Sequence, residues 1–169
     1  TVKTQQGIDV SQAVNTSISD AEKALASLNP DQVKPIDIAT ALNLQIINFA
    51  TGSNDIPDVN KSVLDQAAAL MNRVPNVELT VKGFTDATGD ANANKSLSLK
   101  RAQSVADYLV SKGVDPSKLN AVGFGQENPI ADNTTDEGKF KNRRIEFEVT
   151  NTETGVQREV TGESVKQTN

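Results

Sequence analysis

Apolar and polar residues follow one another along the chain with two different spacings. In four segments they alternate with a period of two, as in a strand that buries one face. These segments, 42–49, 77–84, 119–124 and 144–149, predict four strands of a single sheet. Each segment carries one phenylalanine, so we expect one aromatic layer across the sheet, formed by Phe49, Phe84, Phe124 and Phe147.

Between the strands, apolar residues recur at intervals of three and four, which is the spacing of a helix face packed on a core. This spacing predicts helices over 18–28, 58–74 and 91–112, the last with Gly113 in the position of a C-terminal capping glycine. Residues 125–141 are expected to form a polar connection. The order of these elements predicts a two-layer α/β (α+β) sandwich with its helices on one face of the sheet.

The pattern also divides the chain into three parts. Residues 1–40 are mostly polar and are predicted to form an N-terminal helical extension or linker. Residues 41–150 contain all the alternating segments and form the predicted domain. Residues 151–169 form a tail without helical periodicity, although its spaced valines could add a strand.

Composition excludes several classes of function. The 169 residues include no cysteine and no histidine, so a thiolate nucleophile, an imidazole base and a Cys/His zinc site are all excluded. The net charge of −5 disfavours binding to nucleic acid or anionic lipid. No run of about 18 apolar residues is present, so membrane attachment is expected only through a segment outside this chain, and no cofactor is expected.

Asp86 and Arg101 form the most informative pair of charges. Asp86 lies on the loop before the long helix, and Arg101 lies on the flank of that helix's buried stripe. One carboxylate and one guanidinium at the rim of a shallow pocket suit a zwitterion, whose ammonium and carboxylate they would bind. On spacing alone, a purely structural Asp–Arg ion pair is the favoured alternative. The segment 142–144 similarly offers either a third anion contact or a solvated start to the last strand.

Several motifs in residues 44–150 resemble the OmpA-like peptidoglycan-binding domain family. The matching stretches are 48–53, GFTDATG at 83–89, NKSLSLKRAQSVADYLVSKGV at 94–114, VGFGQENPIADN at 122–133 and NRRIEFEV at 142–149. Two positions depart from the family pattern. Phe84 replaces a common histidine, and Gly138-Lys139 replaces Gly-Arg, which weakens a bidentate contact there.

The resemblance implies a sheet flanked by helices that binds the peptide stem of the bacterial cell wall without covalent chemistry. It implies that Asp86 and Arg101 hold the zwitterionic end of diaminopimelic acid. It further implies that Thr88, Asn94 and Leu97 shape the pocket, and that Thr51, Gly52 and the segment 142–144, including Arg144, contribute at its rim.

We therefore expect a periplasmic, noncatalytic module of the cell envelope that anchors a protein to peptidoglycan. The first alternative is a module on the same scaffold that binds other envelope proteins, using 1–40 or 151–169. The second alternative is a hydrolase that uses Asp86 and Asp90, which is disfavoured because the chain offers no base or nucleophile beyond carboxylates.

Overall fold

A mixed sheet lies at the centre of the fold. The computed structural model describes residues 10–74 and 76–150, together with the strand 163–166. The sheet order is β3-β1-β2-β4, with β2 parallel to β1 and both outer strands antiparallel to their neighbours. The strands are β1 (Leu79–Phe84), β2 (Leu119–Gly125), β3 (Arg144–Val149) and β4 (Glu163–Lys166).

The helices pack on one face of this sheet and form one hydrophobic core with it. They are α1 (Val10–Ala26), α2 (Pro35–Leu42), α3 (Lys61–Arg73), α4 (Ala91–Ser111) and α5 (Asp136–Asn142), with short 3-10 turns at Asp58–Asn60 and Pro116–Lys118. None of the described helices has both the length and the apolar character needed to cross a bilayer. The predicted two-layer fold class is confirmed.

Helix α4 lies unusually close to the sheet. A side chain at Gly83 of β1 would overlap the carbonyl oxygen of Ser98, and one at Gly123 of β2 would lie 2.6 Å from the backbone nitrogen of Leu99. Glycine at these two positions therefore lets the backbone of α4 approach both strands. Helix α4 ends at Ser111, and Gly113 follows as the predicted capping glycine with a positive φ of 101°. Its N–H donates to the Val110 carbonyl, and the turn at Gly113 lets the Val114 N–H donate to the Leu109 carbonyl.

The predicted strand over 42–49 is wrong. Helix α2 continues to Leu42, a turn follows, and residues 46–50 have no regular secondary structure. The amide side chain of Asn43 takes the place of a neighbouring strand, since its Nδ2 donates to the Phe147 carbonyl (2.8 Å) and its Oδ1 accepts from the Phe147 N–H (2.7 Å). Two backbone groups at the edge of β3 are thereby satisfied without a strand.

The predicted single aromatic layer is also wrong. Phe84 and Phe124 stack with their ring centroids 5.0 Å apart, in a separate cluster with Val122. Phe147 instead belongs to the core shared with the helices, and Phe49 lies outside the strands. Because successive side chains of a strand point to opposite faces, one phenylalanine per strand does not determine a common layer.

Two helices differ from the sequence prediction: α1 begins earlier than predicted, and α5 was not predicted. Helix α1 ends near the predicted position but includes Val10 and Val14, which continue its apolar stripe into the core. Helix α5 interrupts the predicted polar connection 125–141. The boundary at residue 40 remains a prediction. Of the three valines that could add a strand to the tail, Val165 lies in β4, and Val156 and Val160 lie outside the described residues.

The Asn43 contacts generate a prediction about stability. Replacing Asn43 with Ala leaves the Phe147 N–H and carbonyl without their partner, so we expect the free energy of unfolding to fall by about 1–3 kcal/mol. Urea denaturation measures this change. The matched control is Asn72→Ala, because Asn72 makes an exposed hydrogen bond to the Lys112 carbonyl; equal losses in the two variants would contradict the role of Asn43.

Candidate functional site

A polar cleft of about 530 Å³ opens where β1 ends and α4 begins. Its walls come from the loop before α3, the loop between β1 and α4, helix α4 itself and the region of α5. It is lined by Asn48, Phe49, Thr51, Gly52, Thr85, Asp86, Thr88, Asn94, Leu97, Arg101, Lys139 and Arg143.

Asp86 lies in the loop that follows β1, with its carboxylate engaged on both oxygens. Oδ1 accepts the Thr88 backbone N–H at 2.8 Å, and Oδ2 lies 2.6 Å from Nη1 of Arg143. Burial raises the pKa of the Asp86 carboxyl, but the Thr88 and Arg143 contacts together outweigh it and hold the pKa below its ordinary value of 3.8. Asp86 is therefore an ionised, preoriented acceptor at neutral pH.

Arg101 is almost fully buried, and its guanidinium bonds the loop 50–53. Its Nε donates to the Ser53 carbonyl at 2.8 Å and its Nη2 to the Ala50 carbonyl at 3.1 Å. These two carbonyls flank a tight turn in which Gly52 has a positive φ of 71°. The guanidinium also lies 4.9 Å from the centre of the Phe49 ring.

Arg101 and Arg143 place two positive charges in the lining of the cleft. Burial, followed by the charge of Arg143, lowers the pKa of Arg101, while Asp86 acts in the opposite direction. Arginine nevertheless stays protonated in proteins. Its two bonds to carbonyl groups leave three of its five N–H donors without a hydrogen bond among the described residues, which is enough to bind a carboxylate.

Asn94 of α4 braces the loop that carries Asp86. Its Nδ2 donates to the Thr88 carbonyl at 2.9 Å, so the first turns of α4 hold the loop in place. The helix start is fixed in turn by Asp90, whose carboxylate accepts the Ala93 N–H at 2.8 Å. The sequence suggested Asn94 as a pocket residue, and the structure gives it this positioning role at the cleft wall.

Helix α5, which ends at Asn142, forms the wall of the cleft that carries Lys139 and Arg143. The buried Asn142 accepts from the Ile130 and Ala131 N–H groups and donates to the Ala131 carbonyl and to Oδ1 of Asn133. Asn133 in turn accepts the Ala87 N–H at 3.3 Å. Asn142 therefore connects α5 to the Asp86 loop, rather than contacting the cleft itself.

Most of the predicted site residues line the same cleft, namely Asp86, Arg101, Thr88, Asn94, Leu97, Thr51 and Gly52. Arg144 lies outside it. Its guanidinium bonds Glu146 at 2.6 Å and stacks 3.8 Å from the centre of the Phe84 ring. The adjacent Arg143 lies in the cleft instead, so the structural Asp–Arg pair is formed by Asp86 with Arg143 and not with Arg101.

Arg143 and Lys139 are the lining residues that the sequence pattern indicates least. Both are positioned by α5, a helix that begins inside the predicted polar connection 125–141. A short helix over 136–142 is indicated by Thr135, whose hydroxyl accepts the Gly138 N–H as an N-cap. Had this cap been recognised, the spacing of four between Lys139 and Arg143 would have placed them on one side of the helix.

A model of the OmpA family matches residues 48–143, which is more than half of the chain and includes every wall of the cleft. The chain belongs to the OmpA family. The matched region begins at Asn48, after α1 and α2, and ends at Arg143, the residue that pairs with Asp86.

One relative of this OmpA-family chain is a protein named for binding peptidoglycan. It is 38% identical over 116 residues to the peptidoglycan-binding protein ArfA of Mycobacterium bovis, a match that covers 67% of this chain and 36% of ArfA. The chain thus spans about a third of the length of that curated relative.

Solved structures share its fold. The peptidoglycan-associated lipoprotein from Burkholderia pseudomallei matches with a TM-score of 0.60 and 26% identity, over 68% of this chain and 98% of that one. The cell wall anchor of the T6SS from Pseudomonas aeruginosa matches with a TM-score of 0.52 and 33% identity, over 60% and 73% of the respective chains.

The lowered pKa of Asp86 predicts how its contribution to stability depends on pH. The contribution is fully present above the unfolded-state pKa near 3.8 and is lost as the pH falls through the lower folded-state value. We expect the free energy of unfolding of the native chain to fall more steeply below about pH 4 than that of Asp86→Asn. Urea denaturation at several pH values tests this, and parallel curves for the two proteins would contradict it.

Proposed function

We propose that this OmpA-family domain binds peptidoglycan noncovalently, through the diaminopimelate of the stem peptide, and anchors an envelope protein to the cell wall. The observation that carries the proposal is the cleft in which the Asp86 carboxylate and the buried Arg101 guanidinium both line one cavity. The names of the relatives support the same general activity, since they include a peptidoglycan-binding protein, a peptidoglycan-associated lipoprotein and a cell wall anchor.

The chemistry of diaminopimelate suits this pair of charges. The far end of its side chain carries an ammonium and a carboxylate on the same carbon atom. Asp86 accepts the ammonium, since each carboxylate oxygen can accept more than one hydrogen bond. The remaining N–H donors of Arg101 bind the carboxylate.

The same geometry distinguishes diaminopimelate from lysine. A lysine side chain ends in an ammonium alone, so it would engage Asp86 and leave the guanidinium of Arg101 without an anionic partner. A site built to hydrogen-bond a polar group discriminates against an analogue that lacks the group. The proposal therefore includes a preference for stem peptides that contain diaminopimelate.

Anchoring follows from many weak contacts. One cleft holds the end of a single stem peptide, and its Asp86 and Arg101 already have hydrogen-bond partners in the protein, so one domain binds one stem peptide weakly. The cell wall repeats the stem peptide over its whole surface, and a repeated ligand increases the overall binding when several domains are held together. Binding to the cell wall places the domain in the periplasm, and a segment outside this chain would join it to a membrane.

The proposal predicts that Asp86→Asn and Arg101→Gln each abolish binding to purified diaminopimelate-type sacculi. Asp86→Asn keeps an acceptor for the Thr88 N–H but loses the charge that attracts an ammonium. Co-sedimentation with the sacculi measures the binding, and circular dichroism confirms that each variant is folded.

Two matched controls lie next to these residues and outside the cleft lining. Asp90→Ser removes a nearby negative charge while keeping an N-cap acceptor, and Lys100→Gln removes the cation beside Arg101. Both controls should bind like the native chain. Retained binding by both cleft variants would overturn the assignment of the site.

Backbone-amide NMR titration tests the ligand preference. We expect shifts between residues 86 and 101 with a diaminopimelate-containing stem peptide, and much smaller shifts at the same concentration of its lysine analogue. Equal shifts with both peptides would reject the preference, and no shift with either would favour a domain that binds other envelope proteins.

A further inference from the structure

The cleft carries more positive charge than a zwitterion needs. Among the described residues that line it, Arg101, Lys139 and Arg143 are cationic and Asp86 is anionic. The lining therefore has an excess of two positive charges, although the whole chain has a net charge of −5. A zwitterion brings one charge of each sign and leaves this excess unchanged.

Lys139 is the cation that the zwitterion does not explain. Arg143 is compensated by Asp86 at 2.6 Å, and Arg101 is assigned to the first carboxylate. Within the described part of the chain, no carboxylate lies within ion-pair distance of Lys139. Lys139 also follows the first turn of α5, four residues before Arg143, so both side chains project from the same wall of the cleft.

The neighbouring Lys141 shows what a purely structural lysine on this helix looks like. Its Nζ lies 3.2 Å from the carboxylate of Glu137, one turn earlier, and it lines a different groove beside β3. Two lysines two residues apart on α5 thus have different surroundings. Lys141 is compensated by its own helix, while Lys139 faces the cleft.

We infer that Lys139, together with Arg143, forms a second carboxylate-binding subsite. The inference rests on the proposed function and extends it to the ligand's next residue. When the ligand's ammonium binds Asp86, it competes with Arg143 for the carboxylate, and the Arg143 guanidinium then needs another anion. A stem peptide supplies one in the free α-carboxylate of the γ-linked D-glutamate that precedes diaminopimelate.

The test compares two synthetic peptides, L-Ala-γ-D-Glu-meso-diaminopimelate and the same peptide with the glutamate α-carboxylate converted to an amide. Dissociation constants come from NMR titration at low ionic strength. We expect amidation to weaken binding to the native chain about twofold to fivefold, the size of an exposed ion pair. Lys139→Gln should weaken binding of the free acid by a similar factor and leave binding of the amide unchanged.

Two further variants complete the comparison. Lys139→Arg should keep the preference for the free acid, and Lys141→Gln should behave like the native chain. An equal response of the native chain and Lys139→Gln to amidation would overturn the second subsite while leaving the proposed function intact. Failure of the native chain to bind either peptide would instead overturn the proposed function, and the subsite with it.

Discussion

The close approach of α4 to the sheet is the constraint on which the candidate site depends. It is possible because Gly83 and Gly123 present no side chains where the backbone of α4 crosses β1 and β2. The helix therefore begins beside the end of β1, where the chain enters the Asp86 loop. Asn94 and Arg101 lie on this helix, so the distance between the sheet and α4 determines where Asn94 meets the Asp86 loop and where Arg101 meets the loop 50–53.

The groups proposed to bind the ligand also hold the fold of this domain. A buried guanidinium is costly unless its N–H donors find partners, and Arg101 finds them in the Ala50 and Ser53 carbonyls. The Asp86 carboxylate is likewise satisfied by Thr88 and Arg143. Both charges are thus held in fixed orientations before a ligand arrives, which lowers the entropy lost on binding. The same dependence makes the loop 50–53 sensitive to changes at Arg101.

Sequence patterns predicted helices α3 and α4 and strand β3 because each of them buries a single face on the core, which gives a regular apolar spacing. The central strands β1 and β2 were predicted as well, although they are buried along almost their whole length on both faces. The pattern of apolar and polar residues gave wrong predictions for two segments. The segment 42–49 alternates like a strand but forms a loop, and the side chain of Asn43 makes the hydrogen bonds to Phe147 that a neighbouring strand would make. Helix α5 is short and mainly polar, so it lacks the apolar spacing of a packed helix. The end of α5 likewise decides that Arg143, and not the adjacent Arg144, lines the cleft, and a ligand contact of Arg144 stays a prediction.

The charge of the cleft explains why whole-chain composition was a poor guide to its ligand. A net charge of −5 argues against polyanions, because nucleic acids and anionic membranes interact with an extended surface. At physiological ionic strength, however, exposed charges farther apart than about 8 Å are largely screened from each other. A small anion inside the cleft therefore responds to Arg101, Lys139 and Arg143 and hardly to distant carboxylates. An acidic surface that rejects polyanions can thus contain a cleft that selects a short peptide by its carboxylates.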